Sequence, residues 1–443
     1  MPEEPFPQGF AWGAATASYQ VEGAVTADGR GESIWDRFAH TPGRVAGGDT
    51  GDVACDHYHR YREDVALMAE LGLDAYRFSV AWPRVVPTGT GAVNAAGLDF
   101  YDRLVDELCA RGIAPHATLY HWDLPQALED AGGWPVRATA EAFAAYADAV
   151  ARRIGDRTAA IATINEPWCP SYLGYRVGVH APGRAEPDAA LAAAHHLLVG
   201  HGLAIQAIRA AAPGTPAGIV LNFEPKRPAT AHPLDLEAAA VEHDQYNRWF
   251  LDPLTGGDYP EAGARAWGWR RSEVLPGDLA LVAAPIDFMG INYYTCRTVR
   301  SPLLPPLDAP DVPPEQTSQG WEVHPEGLTE VLELVHSRTG DLPLYVTENG
   351  AAYDTPAGGD RTHDPDRVSY LRRHVAAARA AIAAGVPLKG YFVWSLFDNF
   401  EWHEGYAHRF GIVDVDFATQ ERRVRDSGRY WASLAAAQHA VAA

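Results

Sequence analysis

The chain has 443 residues, 47% hydrophobic and 21% charged, with 13 Trp and 19 Tyr and a formal net charge of −21. That is a globular composition with a large core, and its acidic excess argues against nucleic acid and anionic membranes as partners, since both need basic patches. Cys55, Cys109, Cys169 and Cys296 lack CxxC spacing, which speaks against a zinc site or a disulfide framework. With neither a secretory signal in "MPEEPFPQGF" nor an apolar run near the roughly 18–20 residues of a membrane span, a reducing cytoplasm is expected.

Apolar runs suited to buried strands recur along the chain. They are "FAWGAA" near Phe10, "AYRFSV" at 75–80, "APHATLY" at 114–120 and "AAIATIN" at 159–165, then "AGIVLNF" at 217–223, "DFMGINYY" at 287–294, "PLYVTEN" at 343–349 and "KGYFVWSL" at 389–396. Segments with a helical period separate them. In "YREDVALMAELG", Val65, Met68 and Leu71 share one face and Gly72 marks the stop. Strand and helix alternating eight times predict a parallel sheet closed as a single (β/α)8 TIM barrel over 1–443, with long loops on its active face. The alternative, a doubly wound open sheet, lacks a GxGxxG after the first strand. The Pro-rich stretch at 301–314 reads as a long loop after strand six.

In such a barrel, polar residues at strand C-termini point into the mouth. Gln20 follows strand one, His121 and Trp122 follow strand three, and Asn165 and Glu166 end strand four. Asn222 closes strand five, Asn292 and Tyr294 strand six, and Glu348 strand seven, while Trp394 lies in strand eight. A charge at the end of a buried strand is costly unless the chemistry requires it. Two glutamates, each beside an Asn, across a mouth lined with Trp point to sugar chemistry. Tryptophan faces stack on the CH surface of a pyranose, and amides and carboxylates bond its hydroxyls. Glycoside hydrolysis needs two carboxyl groups in opposite protonation states, and proximity drives their pKa values apart. On this reading Glu348 is the nucleophile, with Tyr294 donating to it. Glu166 is the acid/base, and Asn165 holds the sugar's 2-hydroxyl. Asn222 is expected near the nucleophile. Singly, either glutamate would read as a solvated loop carboxylate, His121 as a structural histidine, and Trp122 and Trp394 as core aromatics.

Four segments, "FAWGAATASYQVEG", "TINEP", "YVTENG" and "WSLFDNFEW", in this order, resemble glycoside hydrolase family 1, the β-glucosidases, and the likeness runs from about Phe6 to about Trp431. The resemblance implies a retaining enzyme without cofactor or metal, acting on a small β-glycoside or oligosaccharide. Glu166 would serve as acid/base and Glu348 as nucleophile. Gln20, His121, Trp122, Asn165, Glu401 and Trp402 would hold the glycone over Trp394, and Asn292 and Tyr294 would orient the nucleophile region. Trp168, Cys169, Leu173, His180 and Trp321 would border the aglycone. Family members acting on 6-phospho-sugars carry Ser, Lys and Tyr where this chain has Glu401, His408 and Phe410, so phosphorylated substrates are disfavoured. A non-catalytic carbohydrate-binding protein on the same fold is the other alternative, although both acids are present. For Glu401 the structural alternative is an ion pair with Arg409.

Overall fold

The computed structural model describes residues 6–308, 313–355 and 359–442. The barrel strands are β1 (Ala11–Ala15), β2 (Ala75–Ser79), β3 (Ala114–Tyr120), β4 (Ala160–Asn165), β5 (Ala217–Phe223), β6 (Phe288–Tyr293), β7 (Leu344–Asn349) and β8 (Leu388–Trp394). Each pairs in parallel with the next, and β8 closes on β1 with Ala15 opposite Trp394. The predicted (β/α)8 barrel is therefore the fold, and each expected strand lies within one or two residues of its observed bounds.

The strands are buried on both faces, which explains why they read as near-continuous apolar runs instead of alternating ones. Inside the barrel, bulk and absence of bulk are matched. A Cβ at Gly13 would strike the Phe392 ring, and one at Gly290 would press on Thr347 and Val220. Small residues thus make room for Phe392, His116 and Arg77 to fill the interior at native density.

Helices α1 (His57–Glu70), α2 (Ala95–Ala110), α3 (Arg137–Ile154), α4 (Pro187–Ala211), α5 (Pro233–His243), α6 (Glu326–Thr339), α7 (Pro365–Ala383) and α8 (Asp426–Ala442) follow the strands in turn. In α1 the predicted face is buried, and Gly72 takes the left-handed conformation (φ +67°) that ends the helix. Helix α4 has 25 residues and the length and hydropathy of a membrane span, but 83% of its most apolar window is buried in the protein. It is a core helix.

Two details set up the mouth. Short strands Lys226–Pro228 and Arg297–Val299 pair beyond the ends of β5 and β6, an extension the sequence reading missed. The Pro-rich stretch follows that extension as a loop. Residues 309–312 of it lie outside the described residues.

Candidate active site

At the C-terminal end of the barrel a cavity of about 850 Å³ opens. Glu166 and Glu348 both line it, together with His121, Trp122, Trp394 and Glu401. The strand ends are bent to aim these groups. The β4–β5 ladder slips in register between Ala162 and Asn165, and the β6–β7 ladder slips at Asn292, which pairs with Glu348. Such bulges re-aim side chains beside sites. Trp122 (φ +79°), Glu166 (φ +48°) and Trp402 (φ +57°) hold left-handed backbone, each at a cost of about 1–3 kcal/mol that the surrounding packing must offset. The glycine after "TEN" has a steric reason, since a Cβ at Gly350 would collide with the Trp394 carbonyl oxygen.

The two glutamates are buried in unlike settings. Glu348 Oε1 accepts from Arg77 Nη1 at 2.5 Å, and Oε2 accepts from the Tyr294 hydroxyl at 2.7 Å. Glu166 Oε1 accepts from Asn292 Nδ2 at 2.7 Å, and Oε2 from the Cys169 thiol at 3.0 Å. Glu348 thus holds a full cation, whereas Glu166 has only neutral donors. Burial, and then the charge of Glu348, push the Glu166 carboxyl up to about 7. Burial raises Glu348 as well, but Arg77, Tyr294 and Asn292 oppose it. Lacking a cationic partner and facing the Glu348 charge, Glu166 is the member of the pair whose protonated form is the more favoured.

Arg77 is the residue that sequence reading missed. It stands in the middle of β2 at 2% exposure, and its Nη2 donates to Asn165 Oδ1 at 2.7 Å. The available signal was a lone guanidinium inside a buried strand, where a charge persists only when paired. Asn165 also accepts from Asn292 at 3.0 Å and bonds His121 Nε2 at 3.0 Å, while its backbone carbonyl accepts from Trp122 Nε1 at 2.9 Å. Burial and Arg77 hold His121 well below the usual histidine range, so its ring is neutral.

The remaining picks sort by position. The His121 ring stacks on Trp394 (5.8 Å, 23°) and Trp402 (6.1 Å, 24°). Glu401 faces Gln20 Nε2 at 3.4 Å, and that nitrogen also donates to Asn399 Oδ1 and the Phe400 carbonyl. Gln20 and Asn165 are wholly buried behind the lining, Gln20 against Glu401 and Asn165 against His121 and Asn292. Arg409 pairs with Asp398 at 3.0 Å, so the structural alternative for Glu401 is not realised. Trp168 stacks on Tyr172 (4.7 Å, 14°) and packs on Tyr246, and Cys169 and Leu173 line the same side of the cavity.

Asn292 bonds Glu166 directly and also helps to hold the Glu348 pKa down, so it serves both acids. Asn222 donates to the Tyr246 hydroxyl at 2.7 Å, on the Trp168 side. His180 packs against Trp122 (5.7 Å) and Trp402 (6.4 Å), and Trp321 against Tyr294 (5.5 Å), and both line the same cavity as Trp168. Asn349, the Asn beside Glu348, bonds the Tyr293 carbonyl and the Tyr370 and Tyr391 hydroxyls.

The sequence profile of Glycosyl hydrolase family 1 matches residues 2–440. The chain is 47% identical to a beta-glucosidase from Agrobacterium sp. over 97% of this chain and 95% of that one. It is 44% identical to a bifunctional beta-D-glucosidase/beta-D-fucosidase from Bifidobacterium breve, over 95% and 96% of the two chains. Its fold superposes on that of the Thermotoga maritima beta-glucosidase in complex with glucoimidazole with a TM-score of 0.91, at 46% identity, covering 97% and 98% of the two chains.

Proposed function

The chain belongs to Glycosyl hydrolase family 1, and from that premise we propose that it hydrolyses terminal β-D-glucosyl residues, with β-fucosyl and β-galactosyl residues as secondary glycones, by a retaining double displacement. The observation that carries the reading is the unequal setting of the two buried glutamates, one paired with Arg77 and one held by neutral donors. Glu348, as the carboxylate, attacks the anomeric carbon while the Glu166 proton passes to the glycosidic oxygen, and the aglycone leaves as an alcohol. Water then attacks the glycosyl-enzyme. Glu166, now ionised, takes its proton, and Glu348 is released.

The glycone would lie over Trp394, with His121, Trp122, Glu401 and Trp402 around it and the amides of Gln20 and Asn165 at its base. The aglycone would leave past Trp168, Cys169 and Leu173, with Trp321 on the Glu348 side and His180 on the glycone side. Cleavage of an aryl β-glucoside followed by NMR should give the β anomer of glucose first. An α product, or no release at all, would overturn the reading. Nothing in this chemistry calls for a cofactor, and the net charge of −21 favours neutral sugars over nucleic acid, anionic membranes or phosphosugars as partners. The four free cysteines support a reducing, cytoplasmic setting.

Arg77 acts through Glu348 as a positioning residue. Since Arg77 lowers the Glu348 pKa, Arg77→Met should raise it. The acidic limb of kcat/KM, where the nucleophile must be ionised, should then move to higher pH, with about a tenfold loss below the limb for each unit moved. Arg77→Lys should restore part of the shift. An unmoved acidic limb in Arg77→Met would reduce Arg77 to a structural ion.

Glu401 sets the glycone preference. Burial, then Glu404 and the two acids, hold its carboxyl well above the usual range, with Gln20 opposing. Two sugar hydroxyls donating to it would favour the anion. Such charge-assisted bonds are worth about 1.5–3 kcal/mol each, or roughly one to two decades of kcat/KM per bond when fully expressed in the transition state. Glu401→Ser should lose that much on β-glucosides while its Tm stays near the parent's. It should also relieve the repulsion against a 6-phosphate, although His408 and Phe410 still limit that activity. Equal glucosidase activity in variant and parent would remove the glycone role.

A further inference from the structure

A second set of reactive side chains stands at the mouth of the cavity. A Cys296 sulfur, a Glu322 carboxylate oxygen and a His324 ring nitrogen all lie within 4.8 Å of one another. Cys296 comes just after β6, and Glu322 and His324 just before α6. The two segments are pinned together. The Thr295 hydroxyl donates to the Glu322 carbonyl at 2.9 Å, and the Tyr293 hydroxyl donates to the His324 carbonyl at 2.5 Å. Cys296 is buried, and His324 Nε2 is a buried atom with no hydrogen bond. Further carboxylates surround the ring, with Glu326 3.5 Å from Nδ1 and Glu330 3.7 Å from Nε2.

We propose that Cys296, Glu322 and His324 form an inhibitory binding site for a divalent cation of the zinc class. Sulfur, imidazole and carboxylate are the donors such ions take, whereas magnesium and calcium require oxygen sets. Three protein ligands leave the fourth tetrahedral position to water. Donors around tetrahedral zinc lie about 3.3–3.8 Å apart, so the segments need to close by about 1 Å. Arg227 now contacts both Cys296 Sγ (3.7 Å) and Glu322 Oε1 (3.5 Å), and its side chain is 47% exposed. The ion takes the place of this guanidinium, which swings into solvent, and the Cys296 proton passes to the buffer.

The site couples to hydrolysis through its neighbours. Cys296 is two residues from Tyr294, whose hydroxyl bonds Glu348, and Glu322 adjoins Trp321, which packs on the Tyr294 ring. Closing the segments on an ion displaces both rings, so an occupied site slows cleavage without touching the sugar. Sequence spacing gave no hint of such a site, because a single Cys, a Glu and a His meet only through the loop after β6 and the approach to α6.

The test uses the full chain, freed of metal with a chelator and then titrated with Cd2+ alone and with Zn2+ alone. One equivalent of Cd2+ should produce a thiolate-to-metal charge-transfer band, and both ions should inhibit aryl β-glucoside hydrolysis at saturating binding. Cys296→Ser and His324→Ala should each abolish the band or weaken affinity by at least about tenfold, and His324→Ala should keep the metal-free activity of the parent. A band or inhibition that survives unweakened in either variant would move the metal elsewhere, Cys169 beside Glu166 being the nearest thiol to the chemistry, and would overturn the proposal. So would the absence of a band, or binding without inhibition. The band reports the site even if the hydrolytic reading failed, so the two can fail separately.

Discussion

Glu348→Gln is expected to abolish turnover of every β-glucoside, with kcat falling by at least about 10⁴-fold and towards 10⁶-fold, the scale on which losing a covalent nucleophile registers. The amide oxygen cannot form the glycosyl ester, so no leaving group restores the rate, however activated. The substitution is nearly isosteric and keeps an acceptor for Tyr294, but it leaves the Arg77 guanidinium buried against a neutral group. Some loss of stability therefore accompanies the loss of activity, and circular dichroism and Tm separate the two. The decisive measurement is intact-protein mass after incubation with a slow, 2-fluorinated aryl glucoside. The parent should gain one glycosyl mass and the variant none. A labelled variant, or appreciable turnover by it, would place the nucleophile elsewhere.

Glu166→Ala is the second large effect, and its signature is the dependence on leaving group. Alkyl glucosides need a proton on the departing oxygen and should lose about 10²–10⁴-fold in kcat/KM, the range for a positioned acid. Dinitrophenyl glucosides need little protonation. For them the first step should be nearly unaffected, while hydrolysis of the glycosyl-enzyme slows for lack of a base. Azide should accelerate that second step and yield the β-azide. The pH profile gives an independent reading. Burial and the Glu348 charge raise the Glu166 carboxyl to about 7, and only its protonated form can donate. In the parent, kcat/KM should thus fall as pH rises through about 7, and in Glu166→Ala this basic limb should vanish. A limb that persists in the variant, or losses that are equal across leaving groups, would detach Glu166 from the acid/base role.

The sequence was read well where chemistry is local. The eight barrel strands are apolar runs because both faces of a parallel barrel are buried, and Glu166 and Glu348 were visible because a charge at the end of such a run contradicts its surroundings; Glu401 entered only through the family resemblance. It was read poorly where a neighbour's identity depends on closure. Arg77 lay inside a strand and looked like part of it; its partners Glu348 and Asn165 come from β7 and β4, across the barrel.

The amino-acid sequence by itself determined the alternation of strand and helix, the family motifs and the two acids, since period, turn chemistry and a misplaced charge are all properties of short segments. Only the tertiary structure decided that the two glutamates sit in unequal settings, because Arg77 reaches Glu348 while only neutral donors bond Glu166. It also decided that Asn165 and Asn349, each beside a glutamate, have different partners. Slips in the β4–β5 and β7–β8 ladders fix where each strand end points, and one residue of register turns a side chain from the mouth to the outer wall. The neighbours of His180, Trp321, Cys296, Glu322 and His324 depend likewise on loops whose ends meet only once the barrel has closed.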